Sequence, residues 1–349
     1  MSRLDEVFSL VSIESVSGHE SALALEVERR LRGVPALDVQ RVGDNVVART
    51  RGHGTRRLLV AGHLDTVPGD PARAQRLEDR VRGLGACDMK GSLAIMIELA
   101  RDPRPRSVEV TWVFYAREEV ARADSGLLEI QRLRPDLLAA DVAVVAEPTG
   151  GVVEAGCQGT MRVVIELRGT RAHTARPYRG LNALHRLGAL LTRVASYESR
   201  TAVIDGVAYH EQLQAVRAQA GVADNVVPDL ATCTLNYRVA PDRSRSEAVT
   251  ALREVLGDAV GAQDEVRVVD WAPPAPPRLA DPLIQRLVSV SGAPARAKVG
   301  WTDVATFAGW GIPSANYGAG DPELAHHRDE VVTLDELDEF ARGLGTWLA

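Results

Sequence analysis

The chain has 349 residues, 45% of them apolar and 25% charged, with a formal net charge of -6. That length exceeds one ordinary compact core and calls for two domains, and the apolar share can fill them, which excludes a disordered chain. The acidic balance leaves no basic footprint for nucleic acid, no apolar run approaches the roughly 20 residues of a membrane span, and Asp5 and Glu6 stand where a signal peptide would be basic.

Cys87, Cys157 and Cys233 are odd in number and far apart. They read as reduced thiols of a cytoplasmic protein, not as a disulfide framework. Of the 41 basic residues only Lys90 and Lys298 are lysines. Leu4, Val7, Phe8 and Val11 recur at helical spacing. Ser17 and Glu20 have capping-box spacing ahead of a second helix bearing Leu23, Val27 and Leu31. Strands are expected at 45–48, 58–61, 108–115 and 142–146, with a helix over 92–100 between two of them. Buried runs alternating with helices predict a wound α/β layer.

After Glu147 the pattern loosens at Gly150, Gly151, Gly156 and Gly159. A strand (161–167), a helix (181–194), two strands (213–218 and 232–239), a helix (246–256) and a strand (266–270) then follow in βαββαβ order, the split-βαβ or ferredoxin-like unit. Four prolines between Pro273 and Pro277 read as a stiff hinge. Beyond it lie a helix near 283–290, a strand near 312–317, and a last amphipathic helix capped by Thr333 and Glu336. The expected organisation is a discontinuous α/β domain, 1–156 and 272–349, carrying an inserted domain over 157–271.

Three strands of the larger domain run into acidic or imidazole groups: Gly62-His63-Leu64-Asp65-Thr66-Val67-Pro68, Glu118-Glu119, and Glu147-Pro148-Thr149. Open α/β sheets collect ligands beyond the carboxyl ends of their strands. Asp88 sits in a glycine-rich turn before a helix, and His326 follows the last expected strand. Alone, each piece has a bland reading: a structural hydrogen bond, a solvated charge pair, a helix cap or a surface histidine. Together they crowd carboxylates that would repel one another without cations to neutralise them.

These motifs, in this order and over essentially the whole chain, resemble those of the dinuclear-zinc amidohydrolases, a family that includes aminoacylase, acetylornithine deacetylase, glutamate carboxypeptidase and succinyl-diaminopimelate desuccinylase. Ala325-His326-His327-Arg328-Asp329-Glu330 and Gly300-Trp301-Thr302-Asp303 are most similar to the desuccinylase branch. The resemblance implies a zinc-peptidase-like α/β catalytic domain and an inserted lid and dimerisation domain. It implies that Asp88 bridges two metal ions, His63 and Glu147 completing one site and Glu119 and His326 the other. Asp65 would orient His63, Glu118 would be the general base, and the Asp88–Met89 peptide would be cis. Imidazole and carboxylate ligands suit two Zn²⁺, with Co²⁺ or Mn²⁺ as substitutes. In the inserted domain the resemblance makes His173 an oxyanion donor and Arg176, Asn225, Arg238 and Thr302 substrate contacts. Gly156-Cys157-Gln158-Gly159 departs from some desuccinylases, which have an arginine near the lid entry for the succinyl contact, and leaves another group such as Arg176 to supply it. His19, His53, His185 and His210 match no motif.

The implied activity is hydrolysis of a small N-acyl amino acid, foremost N-succinyl-LL-2,6-diaminopimelate of lysine biosynthesis, by a cytoplasmic homodimer joined through the lid domain, with no nucleic-acid or membrane partner. The alternatives are an acetylornithine deacetylase, a dipeptidase or carboxypeptidase, and a degenerate metal- or amino-acid-binding protein.

Overall fold

In a computed structural model, the structure describes residues 2–52, 54, 56–102, 104 and 106–349; His53 lies outside them. The chain forms two compact units, the first made of residues 1–156, 277–296 and 306–349, the second of 157–276 and 297–305. The second unit thus takes in 272–276 and 297–305, which sequence spacing assigns to the larger domain. The reason is local: Cys157 pairs with Ala275, Gln158 N–H donates to the Lys298 carbonyl, and the Trp301 indole donates to the Pro273 carbonyl.

The first unit is built on a mixed sheet whose strands run in the order Leu37–Val42, Asn45–Thr50, Glu109–Tyr115, Arg57–His63, Val142–Val145, Ser314–Asn316 and Glu154–Ala155. The Arg57–His63 strand lies parallel to both of its neighbours. Leu58, Leu59, Val60 and Ala61 are all buried, as in a strand covered on both faces. Helices Arg3–Val11, Ser21–Arg32, Gly91–Arg101 and Leu334–Leu348 contribute Leu10, Val27, Ile95 and Phe340 to one core with the sheet. Thr333 and Glu336 form the expected capping box. Ser17 and Glu20 do not. The helix starts at Ser21, Glu20 makes no side-chain cap, and both side chains turn toward the strand ends described below.

The second unit is a four-stranded antiparallel sheet in the order Gln212–Ala220, Leu230–Val239, Gly159–Arg168, Glu265–Ala272, with helices Ala183–Ala195 and Arg245–Leu256 sharing its core. Its chain order is βαββαβ with a Thr201–Ile204/Val207–His210 hairpin inserted after the first helix. No helix among the described residues is long and apolar enough to cross a membrane.

Candidate metal centre

His63 closes the Arg57–His63 strand, Glu118 and Glu119 follow the Glu109–Tyr115 strand, and Glu147 lies two residues beyond the Val142–Val145 strand. Because these strands are parallel, their carboxyl ends share one edge. Asp88 comes from the irregular turn Ala86–Lys90, and the Asp88–Met89 peptide is cis. Gly85, at φ +81, enters that turn; a Cβ there would fall 2.7 Å from Thr66 Cγ2. His326 adopts a left-handed φ of 65 in the C-terminal loop.

The seven expected catalytic and metal residues of this unit converge. Asp88 lies between two imidazoles: His63 Nε2 is 3.0 Å from Oδ1 and His326 Nε2 is 3.4 Å from Oδ2. Glu119 Oε1 lies 2.8 Å from His326 Nε2, and Glu147 Oε1 lies 4.0 Å from His63 Nε2. One ligand atom each from His63, Asp88 and Glu119 fit within 4.8 Å of one another.

This crowding shifts the titrations. Burial opposes charge on His63, but its hydrogen bond to Asp88 and the charges of Asp88, Glu147 and Asp65 raise its pKa well above the ordinary value. Hydrogen bonds to Asp88 and Glu119 raise His326 to about 10. Asp88 is buried, which opposes its charge, yet the two histidines hold its carboxyl below the usual range. The carboxylates crowded around the two imidazoles thus call for positive charge. Nitrogen and oxygen donors around one shared carboxylate fit a pair of borderline divalent cations.

Asp65 meets His63 through its main chain, not its carboxylate. His63 Nδ1 is hydrogen-bonded at 2.9 Å to the main-chain carbonyl of Asp65, while the nearest carboxylate oxygen is 3.7 Å away. That carboxylate instead accepts the Glu118 N–H (3.0 Å), the Glu119 N–H (2.9 Å) and the Ser17 hydroxyl (2.7 Å). Glu20 Oε1 accepts the N–H groups of Gly18 and of Arg117, itself at φ 61 just before Glu118.

Sequence reading also passed over Glu330. It is 1% exposed; Oε1 accepts the His326 N–H at 3.0 Å, and Oε2 accepts the Asp88 N–H at 3.3 Å and the Cys87 thiol. One carboxylate therefore fixes the backbones that present two candidate ligands. The chain shows only an acid four residues after a candidate ligand; its burial appears with the fold.

The substrate candidates belong to the second unit. His173 pairs with Val226 in a two-stranded ladder, is exposed, and accepts the Ala175 N–H at Nδ1, so the neutral ring carries its proton on Nε2. Asn225 and Arg176 are exposed in the same loops; the Asn225 carbonyl accepts from Thr174, and Arg176 N–H donates to the His173 carbonyl. Arg238 is half-buried and donates to Thr160 Oγ1. Thr302 is buried, its carbonyl accepting the Cys157 thiol, and Gln158 Nε2 donates to the His210 carbonyl.

The fold and this centre define a hydrolase of the dinuclear-metal kind. Residues 59–349 match the family model of Peptidase family M20/M25/M40, and the chain belongs to that family as a metal-dependent amidohydrolase. It is 46% identical over 331 residues, 94% of this chain and 93% of the other, to a Mycobacterium tuberculosis protein assigned as a succinyl-diaminopimelate desuccinylase, DapE. It is 41% identical over 350 residues, 97% and 94% of the two chains, to the succinyl-diaminopimelate desuccinylase of Corynebacterium glutamicum. In fold it is similar to aminopeptidase PepT of Bacillus cereus (TM-score 0.82, 19% identity, 99% and 97% covered). It is also similar to the Bacillus subtilis YXEP protein, a dinuclear metal-binding peptidase (TM-score 0.73, 16% identity, 99% and 96% covered).

Proposed function

We propose that the chain hydrolyses the amide of N-succinyl-LL-2,6-diaminopimelate, releasing succinate and LL-2,6-diaminopimelate, with two zinc ions held by His63, Asp88, Glu119, Glu147 and His326. The observation that carries the chemistry is the carboxylate of Asp88 set between two imidazoles, with Glu118 on the adjoining strand end. The substrate follows from whole-chain identity of 46% and 41% to relatives of that name. Free, buried Cys87, Cys157 and Cys233 accord with a reducing cytoplasm.

When bound, the metal pair would polarise the amide carbonyl and acidify an attacking water. Glu118 removes that water's proton and returns it to the departing amine. Its position is set by the main chain, since Asp65 holds the Glu118 and Glu119 N–H groups together. His173, protonated on Nε2, donates to the oxyanion. Arg176, Asn225, Arg238 and Thr302 hold the substrate's polar groups.

The working unit is a homodimer joined through the second unit, with His173 acting on the neighbouring subunit. Arg238 pairs with Thr160 at one end of the central strand pair, and Arg168 pairs with Leu230 at the other, His173 following from there. The eight steps from Thr160 to Arg168 span roughly 26 Å at about 3.3 Å per residue. Groups so separated favour supply from two subunits around one small substrate.

Metal-loaded enzyme should turn over N-succinyl-diaminopimelate in preference to N-acetylornithine and simple dipeptides. A preference for either of the others in steady-state kcat/KM would reassign the substrate.

A further inference from the structure

The proposed substrate carries a free carboxylate on its acyl group, while the strand edge that would receive it is crowded with Asp65, Asp88, Glu118, Glu119 and Glu147. An acidic floor repels such an acyl group unless fixed cations stand beside it. In the first unit a cavity of about 310 Å³ opens beside His326, lined by Asp70, Arg73, Leu84 and Arg328 among others. Both arginines are exposed, and neither makes an ion pair among the described residues. Their sequence neighbours differ: Arg76, Arg80 and Arg82 pair with Asp5, Asp79 and Asp329. The one acid lining the cavity is engaged locally, since Asp70 Oδ1 accepts the Ala72 N–H at 2.9 Å and caps the turn that carries Arg73. The wall is close-packed, because a Cβ on Gly69 would fall 2.1 Å from Leu84 Cδ2. Two guanidiniums without an ion pair among the described residues, next to a candidate metal ligand, suit one planar carboxylate.

The geometry points to Arg73 and Arg328 as the subsite for the terminal carboxylate of a dicarboxylic acyl group. This rests on the desuccinylase reading above and adds to it the residues that distinguish a succinyl from an acetyl substrate. Arg176, Arg238, Asn225 and Thr302 remain for the amino-acid portion.

Calorimetric titration of metal-loaded protein with succinate, and with acetate for comparison, tests the assignment. Arg73→Gln and Arg328→Gln should each lower the ratio of succinate to acetate affinity about tenfold, as expected for one lost charge-assisted contact at a solvent-facing site. The double variant should lower it about a hundredfold, and lysine at either position should restore part of the loss. The same ratio is expected in kcat/KM for N-succinyl against N-acetyl substrates, carried by KM, with metal content at the wild-type level. Equal weakening of both ligands, or of neither, overturns the subsite. If succinate binding depends on the two arginines but wild-type enzyme does not cleave N-succinyl-diaminopimelate, the dicarboxylate subsite stands and the assigned reaction falls.

Discussion

The carboxylate of Asp65 and its own carbonyl have different partners, and the division separates two duties. The carbonyl fixes the His63 ring, and the carboxylate fixes the two glutamates that follow a neighbouring strand. Glu118 can thus be a proton acceptor without being drawn into the ligand set. Glu118→Gln should keep two equivalents of metal by elemental analysis and lose about 10²- to 10⁴-fold in kcat; near-normal turnover would remove Glu118 from the mechanism. Glu330 is a positioning residue for Asp88 and His326. Glu330→Ala should weaken metal affinity about 10- to 100-fold, read by chelator competition, as supports behind metal ligands generally do. Unaltered affinity would make Glu330 a core acid only. The candidate ligands themselves were legible in the sequence because each follows a recognisable strand or turn. The supports were not: Ser17 and Glu20 mimic a helix cap at three-residue spacing, and only the folded chain shows them turned to Asp65 and Arg117.

Among the elements, the second unit carries a buried ion pair that ties its first helix to the sheet end. Asp264, its side chain fully buried, accepts from both terminal nitrogens of Arg186 on the Ala183–Ala195 helix, and from the N–H groups of Arg168 and Gly261. Burial opposes its charge, but these partners hold its pKa below the ordinary 3.8. A depressed carboxyl stabilises the fold fully above its unfolded value, and the contribution fades as pH falls through the depressed one. Asp264→Ala leaves Arg186, 17% exposed, without its counter-charge and should cost about 3 kcal/mol in denaturant unfolding, the low end for a broken buried pair. The variant should also show a shallower loss of stability than the parent as pH falls below the ordinary 3.8; parallel acid limbs would exclude Asp264 as the titrating group. Sequence periodicity found most of the long strands and helices but passed over others, among them the Gly126–Leu133 and Val304–Gly309 helices, the Leu37–Val42 strand and the Thr201–His210 hairpin. Leu37–Val42 interleaves Asp38, Gln40 and Arg41 with apolar residues at a sheet edge. The Thr201–His210 hairpin is short and half exposed, so neither shows a continuous apolar run.

For the whole molecule the question is which subunit supplies His173. If it acts across a dimer, His173→Ala and Glu118→Ala homodimers should each be nearly inactive. Re-associated heterodimers would contain one site with both residues intact, so a quarter of the parental activity is the ceiling expected from about half of the dimers being mixed. No recovery, with subunit exchange verified by mass spectrometry, would place His173 in its own subunit. Removing the donor alone should lower kcat about 100- to 1,000-fold.

The sequence by itself determined the class of the centre. His63, Asp88, Glu118, Glu119, Glu147 and His326 stand out as the candidate ligands and base because five motifs occur in order, and parallel strands bring their carboxyl ends to one edge. It also determined the βαββαβ order of the second unit, because alternating and helical periodicities are local properties. Only the tertiary structure decided which oxygen of Asp65 faces His63, that Glu330 joins the Asp88 turn to the His326 loop, and that 297–305 packs with the second unit. Those outcomes depend on contacts such as Asp65 with Glu118, 53 positions apart, and Glu330 with Asp88, 242 apart, where hydrogen-bond geometry and burial choose among acids that look alike in the chain.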